Sequence, residues 1–72
     1  MSIISLRVPL EQKRAIALRL ARTAAGLTRA ELGRRIGVVA STVKWYERYG
    51  RYGDDMIGAI ARATNQAEEI FR

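Results

Sequence analysis

The chain has 72 residues, enough for one small domain, and its 13 Lys/Arg against 7 Asp/Glu give a net charge of +6. It has no cysteine and no histidine, which excludes disulfide bonds, thiolate metal sites and the commonest general base. The remaining charged residues form no catalytic cluster, so we expect a protein that is not an enzyme and that has no cofactor or bound metal. The sequence has neither an apolar run long enough to cross a membrane nor a signal-peptide pattern, so we expect a cytoplasmic protein with no membrane partner.

The first nine residues predict an extended arm. Ile4, Leu6 and Val8 would lie on one side of a strand, in a segment rich in β-branched and apolar residues. Pro9 favours an extended backbone before it and closes the segment. We therefore divide the chain into an N-terminal arm or strand over residues 1–9 and a second unit over residues 10–72.

A first helix is predicted over residues 10–25, which are good helix formers without glycine and which follow a proline. One apolar stripe is expected to face the core: Leu18, Ala21 and Ala25. A second stripe lies beside it: Ile16, Leu20 and Ala24. Two apolar faces are more than a lone surface helix needs, so we expect either the arm or another subunit to cover the second stripe.

The second predicted helix has a marked start and a marked end. Thr28 and Glu31 fit a capping box, in which each side chain satisfies a free backbone N–H of the other residue. Leu32 and Ile36 are four residues apart and would share the inner face. Gly37 can adopt the left-handed conformation that ends a helix.

A third helix is predicted to start near Ala40, a few residues after that glycine, with Val43 and Tyr46 on its inner face. Two short helices joined by a tight turn are typical of the helix-turn-helix, whose second helix enters the major groove of DNA. We therefore expect the function to lie in residues 28–48.

Two further helices are predicted after a glycine-punctuated loop. Asp54 or Asp55 is expected to cap a fourth helix over residues 56–64. A short fifth helix over residues 67–71 would return Ile70 or Phe71 to the core.

The order of these features resembles the Cro and repressor type of helix-turn-helix domain, the xenobiotic-response-element family. The resemblance rests on AGLTRAELGRRIGV, STVKWYE, AIARAT and EEIF, within residues 18–71. It implies an all-α fold, a compact five-helix helix-turn-helix domain of the lambda-repressor-like type, here with a short extended N-terminal arm. It also implies a structural ion pair between Arg22 in the first helix and Glu47 at the end of the recognition helix.

The sequence departs from that family at three positions. Val39 stands where a Ser or Thr usually caps the recognition helix, so the cap is lost or shifts to Ser41. Gly33 stands where alanine is usual, which keeps the helices close but weakens the helix by about 1 kcal/mol. Trp45 occupies a DNA-facing position that is normally polar, and a place in the core is its alternative fate.

A second resemblance, through ELGRRIGVVASTVKWYERYG, is to the start of the MerR family. That family has this motif at the N-terminus and follows it with a proline-rich wing and a long helix. This chain has a full predicted helix before the motif and no room for the wing. A MerR-like regulator is therefore less favoured than the Cro and repressor type.

The charge distribution favours a polyanionic partner. Residues 1–51 hold 11 Lys/Arg and three acidic residues, a net charge of +8, whereas residues 52–72 have a net charge of −2. Double-stranded DNA is the expected partner, with a first group of residues at the base edges: Ala40, Ser41, Thr42, Lys44 and Trp45. A second group is expected at the phosphates: Thr28, Arg29, Arg48 and Arg51.

These patterns predict a sequence-specific double-stranded DNA-binding transcriptional regulator, associated with the nucleoid. We expect a small phage-, plasmid- or chromosome-encoded repressor that binds a pseudopalindromic operator as a homodimer. The predicted dimer interface joins the arm to the second stripe: Ile3, Ile4, Leu6, Ile16 and Leu20. Two alternatives stay open, an antitoxin with a toxin or another regulator as protein partner, and a protein-interaction module whose positive charge is incidental.

Overall fold

A computed structural model describes residues 9–72, so the predicted arm apart from Pro9, with Ile3, Ile4 and Leu6, lies outside the described residues. The described chain forms four α-helices and one 3-10 helix, without strands: α1 Leu10–Ala24, α2 Arg29–Ile36, α3 Ala40–Tyr49, α4 Asp54–Thr64 and the 3-10 helix Glu68–Phe71. The expectation of an all-helical domain with a helix-turn-helix is confirmed over this range. None of the helices between residues 9 and 72 has the length and apolar character needed to cross a membrane.

One apolar core lies between the helices: α1 and α2 pack on the inner face of α3, α4 packs on α1 and α2, and the 3-10 helix packs on α1 and α4. Six side chains in it are fully buried: Leu18, Leu32, Val43, Ile57, Ile60 and Phe71. The helical spacing correctly predicts Leu18 with Ala21 on α1 and Leu32 with Ile36 on α2, since all four are buried. Ala25 is an exception. It is exposed because α1 ends at Ala24 and Ala25 is already the C-cap.

Helix α2 is closed by hydrogen bonds at both of its ends, and its C-terminal end forms the tight turn into α3. Thr28 caps α2 through the predicted box: its amide donates to Glu31 Oε1 at 2.8 Å, and the Glu31 amide donates to Thr28 Oγ1 at 3.0 Å. The hydrogen bond from the Thr28 amide to the carboxylate is the main cause that holds the pKa of Glu31 below its ordinary value. At the other end, Gly37 has φ +84°, and its amide and that of Val38 both donate to the Gly33 carbonyl. A Cβ on Gly33 would overlap the Val38 carbonyl oxygen, so this turn requires glycine there.

Two predicted elements differ from the structure, α4 in its start and the last helix in its type. Helix α4 begins at Asp54 with Gly53 as its N-cap, rather than at Met56 after an aspartate cap. Aspartate is as favourable in the first turn of a helix as at the cap, because its charge faces the positive end of the helix dipole. The fifth predicted helix is a single 3-10 turn, so the described chain has four α-helices rather than five. It buries Phe71, and Ile70 stays 45% exposed.

The loop after α3 packs against α1. Gly50 has φ +65°, and its Cα lies so close to the Glu11 carbonyl that no Cβ would fit. Tyr52 is buried, and its hydroxyl donates to the Arg14 carbonyl oxygen at 2.7 Å. Burial raises the pKa of Tyr52 to about 12, although the Arg14 guanidinium, 5.0 Å from the ring centroid, opposes the rise. This loop therefore fixes α3 against α1.

Candidate nucleic-acid interface

The outward face of α3 carries one stripe of polar, basic and aromatic side chains. Its members follow helical spacing and line a shallow cleft of about 160 Å³: Ser41, Lys44, Trp45, Arg48 and Tyr49. The opposite face of α3 contributes Val43, which is fully buried. Trp45 is 43% exposed, so it lies on the outer face and the alternative of a core tryptophan is wrong.

Other aromatic rings hold the Trp45 side chain in place. Its ring centroid lies 5.2 Å from that of Tyr49 and 6.3 Å from that of Tyr46. Tyr46 in turn contacts the ring of Tyr52, edge to face, at 5.7 Å. Because Tyr52 is buried, this row of rings connects the exposed tryptophan to the core.

The first turn of α3 has no side-chain cap. Val39 is the N-cap, is 66% exposed and makes no capping hydrogen bond, and Ser41 does not take over the role. Of the two outcomes left open from the sequence, the structure shows that the cap is lost. Ala40 and Ser41 are exposed and Thr42 is half-buried. Helix geometry leaves the amides of Ala40 and Ser41 without an intrahelical partner, beside the outer stripe.

A second cleft, of about 250 Å³, lies where α1, α2 and α3 meet, and four of its five lining residues are basic. The lining residues are Arg19, Arg29, Lys44, Glu47 and Arg48. Arg19 is absent from the sequence-based prediction. Its position three residues before Arg22 on the same helix is the signal that could have identified it. Among residues 9–72, Arg19, Lys44 and Arg48 have no ion-pair partner, so their charges remain available to a ligand.

Glu47 is the centre of a buried ion-pair network, with a side chain only 3% exposed. Its carboxylate accepts hydrogen bonds from Arg22 Nε, from Arg22 Nη2 at 3.3 Å and from Arg29 Nε at 3.2 Å. Arg22 also donates to the Leu27 carbonyl oxygen at 2.8 Å. The structure thus brings Arg22 and Glu47 together and adds Arg29, so that one carboxylate joins α1, α2 and α3.

Of the other residues predicted to contact phosphates, Thr28 and Arg29 lie at the start of α2, whereas Arg51 lies away from both clefts. Thr28 is exposed at the start of α2, where the capping box leaves the amides of Arg29 and Ala30 without an intrahelical partner. Arg29 is 41% exposed, so its guanidinium reaches both Glu47 and solvent. Arg51 lines neither cleft, and its Nε lies 3.1 Å from the Glu11 carboxylate in a pair more than half exposed.

The predicted dimer residues on α1 are exposed. Ile16 is 48% and Leu20 63% exposed, while Ile3, Ile4 and Leu6 lie outside the described residues. Leu20 and Ile70 line a shallow, mainly apolar cavity of about 340 Å³ between α1 and the 3-10 helix. This surface is separate from both clefts, since it shares no lining residue with them.

Comparison with known proteins identifies the class of domain. A family model described as "Helix-turn-helix domain" matches residues 15–69, a span that contains α2, the turn and α3. Searches against characterised proteins and solved structures found no match. The family match is consistent with a DNA-binding domain of the Cro and repressor type, and such domains are typically not enzymes. Together with the exposed stripe of α3 and the neighbouring basic cleft, the match shows that this chain belongs to the helix-turn-helix domain family.

Proposed function

We propose that this protein is a sequence-specific transcriptional regulator of the lambda-repressor-like type, which occupies a pseudopalindromic operator in double-stranded DNA and represses by occlusion. The observation that supports this proposal is the position of the outer stripe of α3 next to the basic cleft, both within the matched helix-turn-helix domain. Such a regulator would work on the DNA of the nucleoid.

Helix α3 has ten residues and is about 15 Å long, and the major groove of duplex DNA is wide enough to admit an α-helix. In the proposed complex, its exposed first turn faces the base edges through Ala40 and Ser41, with Thr42 at the edge of the contact. Lys44 is the strongest candidate for base discrimination, because guanine presents two acceptors in this groove and the lysine has no ion-pair partner among residues 9–72.

Phosphate contacts would come from the second cleft and from the start of α2. Arg19 and Arg48 carry unpaired charges there among the described residues, and Arg29 extends beside the free amides at the α2 N-terminus. Arg51, already beside Glu11 and outside the cleft, is a weaker candidate on this geometry than the sequence suggests.

The DNA-binding proposal makes a prediction for single alanine variants. Arg19→Ala and Arg48→Ala should each weaken binding to all duplexes and reduce the salt slope, log Kd against log salt, by about 1, because each removes one phosphate contact. Lys44→Ala should instead relax sequence preference, at a cost of about 1–3 kcal/mol on the preferred sequence. Fluorescence anisotropy titrations with duplex DNA at several salt concentrations measure both effects.

Arg62→Ala is the matched control. It removes the same charge from an exposed position on α4, a helix that lines neither cleft, so the salt slope should stay at the wild-type value. Equal slopes for all four variants and the wild type would contradict the placement of α3 on DNA. A wild-type protein that fails to bind any duplex at low salt would favour the protein-interaction module.

We also propose that the protein acts as a homodimer through the exposed apolar side of α1. A domain of this size covers only one half-site, so tight operator binding requires two copies related by a two-fold axis. Ile16 and Leu20 are available for this contact, and the arm, with Ile3, Ile4 and Leu6, would pair with its copy as antiparallel strands.

Deletion of residues 1–8 tests the dimer. Under arm pairing, the truncated protein should become a monomer in sedimentation velocity and lose cooperative operator binding, while its helical circular dichroism persists. In the full chain, Leu20→Lys should weaken the dimer, since it places a charge in the apolar contact. If the truncated protein still forms dimers, the interface lies elsewhere on the protein. If it unfolds, the arm belongs to the core of the monomer.

An antitoxin role is the second candidate function, and the apolar cavity beside Leu20 and Ile70 is the observation in its favour. A toxin or another regulator could occupy that cavity while α3 remains on DNA. Co-purification with the product of an adjacent gene, lost in the Leu20→Lys variant, would support this role.

A further inference from the structure

We propose that Trp45, supported by Tyr49, recognises the 5-methyl group of thymine in the major groove. This inference rests on the proposed function and adds a chemical specificity to it. It concerns the first cleft, the one that combines two exposed aromatic rings with Lys44 and Arg48.

The exposure of the tryptophan requires an explanation. Trp45 is the single tryptophan of the chain, and it is 43% exposed beside Tyr49, which is 41% exposed. Neither ring belongs to the apolar core, whose aromatic members are Phe71 of the 3-10 helix and Tyr52 of the loop after α3. Two neighbouring aromatic side chains that the fold does not need mark a contact surface.

The Trp45 ring also packs against neighbouring aromatic rings in the absence of a ligand. The ring centroids of Trp45 and Tyr49 lie 5.2 Å apart at an interplanar angle of 52°, and Tyr46 supports the indole from the side of the core. Arg48 lies over the Tyr49 ring, with its guanidinium carbon 5.6 Å from the centroid. A preorganised apolar surface loses little conformational entropy on binding.

The charges around the rings decide the class of ligand. Lys44 and Arg48 line the same cleft, so its occupant must combine an apolar group with negative charge nearby. In the major groove of duplex DNA, the thymine methyl is the apolar group on the base edges, and phosphates flank it on both sides. Stacking on a base face would require a single strand, because base pairs in a duplex expose only their edges.

The experiment uses duplexes that the wild-type protein enriches from a random-sequence library. Each is resynthesised with uracil in place of every thymine, which removes the methyl groups and keeps the Watson–Crick pairs. We expect the uracil duplexes to bind about fourfold more weakly for each methyl contacted, from the value of one buried apolar carbon. Trp45 fluorescence should change on addition of the thymine duplex, and this signal comes from one known position.

Variants assign the effect to the tryptophan. Trp45→Ala should bind thymine and uracil duplexes equally, at about the affinity of the wild type for the uracil duplex. Leu10→Ala, which removes an exposed apolar side chain outside both clefts, should keep the wild-type ratio. Circular dichroism checks the fold of each variant, and the wild-type comparison of thymine with uracil does not depend on any variant.

The outcomes separate this inference from the proposed function. Enriched duplexes with equal thymine and uracil affinities would overturn the inference and leave the DNA-binding function standing. Tighter binding of the corresponding single strands would overturn it in favour of base stacking. A retained preference for thymine in Trp45→Ala would assign the methyl contact to another residue and overturn it as well. If the wild-type protein enriches no duplex from the library, the proposed DNA-binding function itself is contradicted.

Discussion

Replacing Glu47 by alanine should lower the free energy of unfolding by about 3–5 kcal/mol, a cost expected when one partner of a buried ion pair is removed. The carboxylate is 3% exposed and accepts hydrogen bonds from two arginines, and Arg22 is itself only 12% exposed. The variant leaves a buried guanidinium without its counter-charge. Arg22→Ala should be destabilising for the reciprocal reason.

Urea unfolding followed by circular dichroism measures this effect. Glu68→Ala is the matched control, because its carboxylate pairs with Arg72 in an exposed i,i+4 bridge that should be worth less than about 1 kcal/mol. If Glu47→Ala and Arg22→Ala were as mild as this control, the network around Glu47 would not hold the three helices together.

Replacing Gly50 by alanine should have a comparably large effect, a loss of about 3 kcal/mol or more in the free energy of unfolding. Two causes add together. The residue has φ +65°, and a Cβ there would overlap the Glu11 carbonyl oxygen and come within 3.0 Å of the Ala15 amide nitrogen. Both contacts are with backbone of α1, which cannot turn aside as a long side chain can.

Gly37→Ala separates these two causes. Gly37 also has a positive φ, +84°, but an added Cβ would meet no atom within 4 Å. It should therefore lose only the cost of the left-handed conformation, about 1–2 kcal/mol. Thermal and urea unfolding of the two variants give the difference. Equal losses would mean that the close approach of the loop to α1 contributes nothing.

Local signals in the sequence predicted the motif well. The box of Thr28 and Glu31 and the left-handed Gly37 depend on neighbouring residues, so their physical cause lies within a few positions of the chain. The start of α4 was predicted two residues late, because consecutive aspartates suit both the cap and the first turn. The last predicted helix is a 3-10 helix in the structure. Its Phe71 side chain packs in the core, and the Phe71 carbonyl oxygen accepts a hydrogen bond from Arg14 Nε at 2.9 Å.

The candidate site depended more on contacts between distant parts of the chain. Helical spacing places Trp45 on the outer side of α3. Because tryptophan is so often buried, the sequence alone allowed either an exposed position or a place in the core. Only the packing of Tyr52 and Phe71 shows that the core is complete without it. In the same way, Arg29 approaches Glu47 and Arg51 approaches Glu11 across 18 and 40 residues, and no local pattern chooses between such partners for a long side chain.

The lost cap at Val39 makes the two helices of the motif unequal. Helix α2 begins with both members of its capping box hydrogen-bonded, whereas α3 begins at an exposed valine whose carbonyl accepts from the Thr42 and Val43 amides but whose side chain caps nothing. The first turn of α3 can therefore open locally at a small free energy while Val43 and Glu47 anchor the rest of the helix. Helix α3 thus has an anchored C-terminal part and a first turn that can adjust. Under the proposed function, this would let one protein tolerate operators that differ at the base pairs facing Ala40 and Ser41.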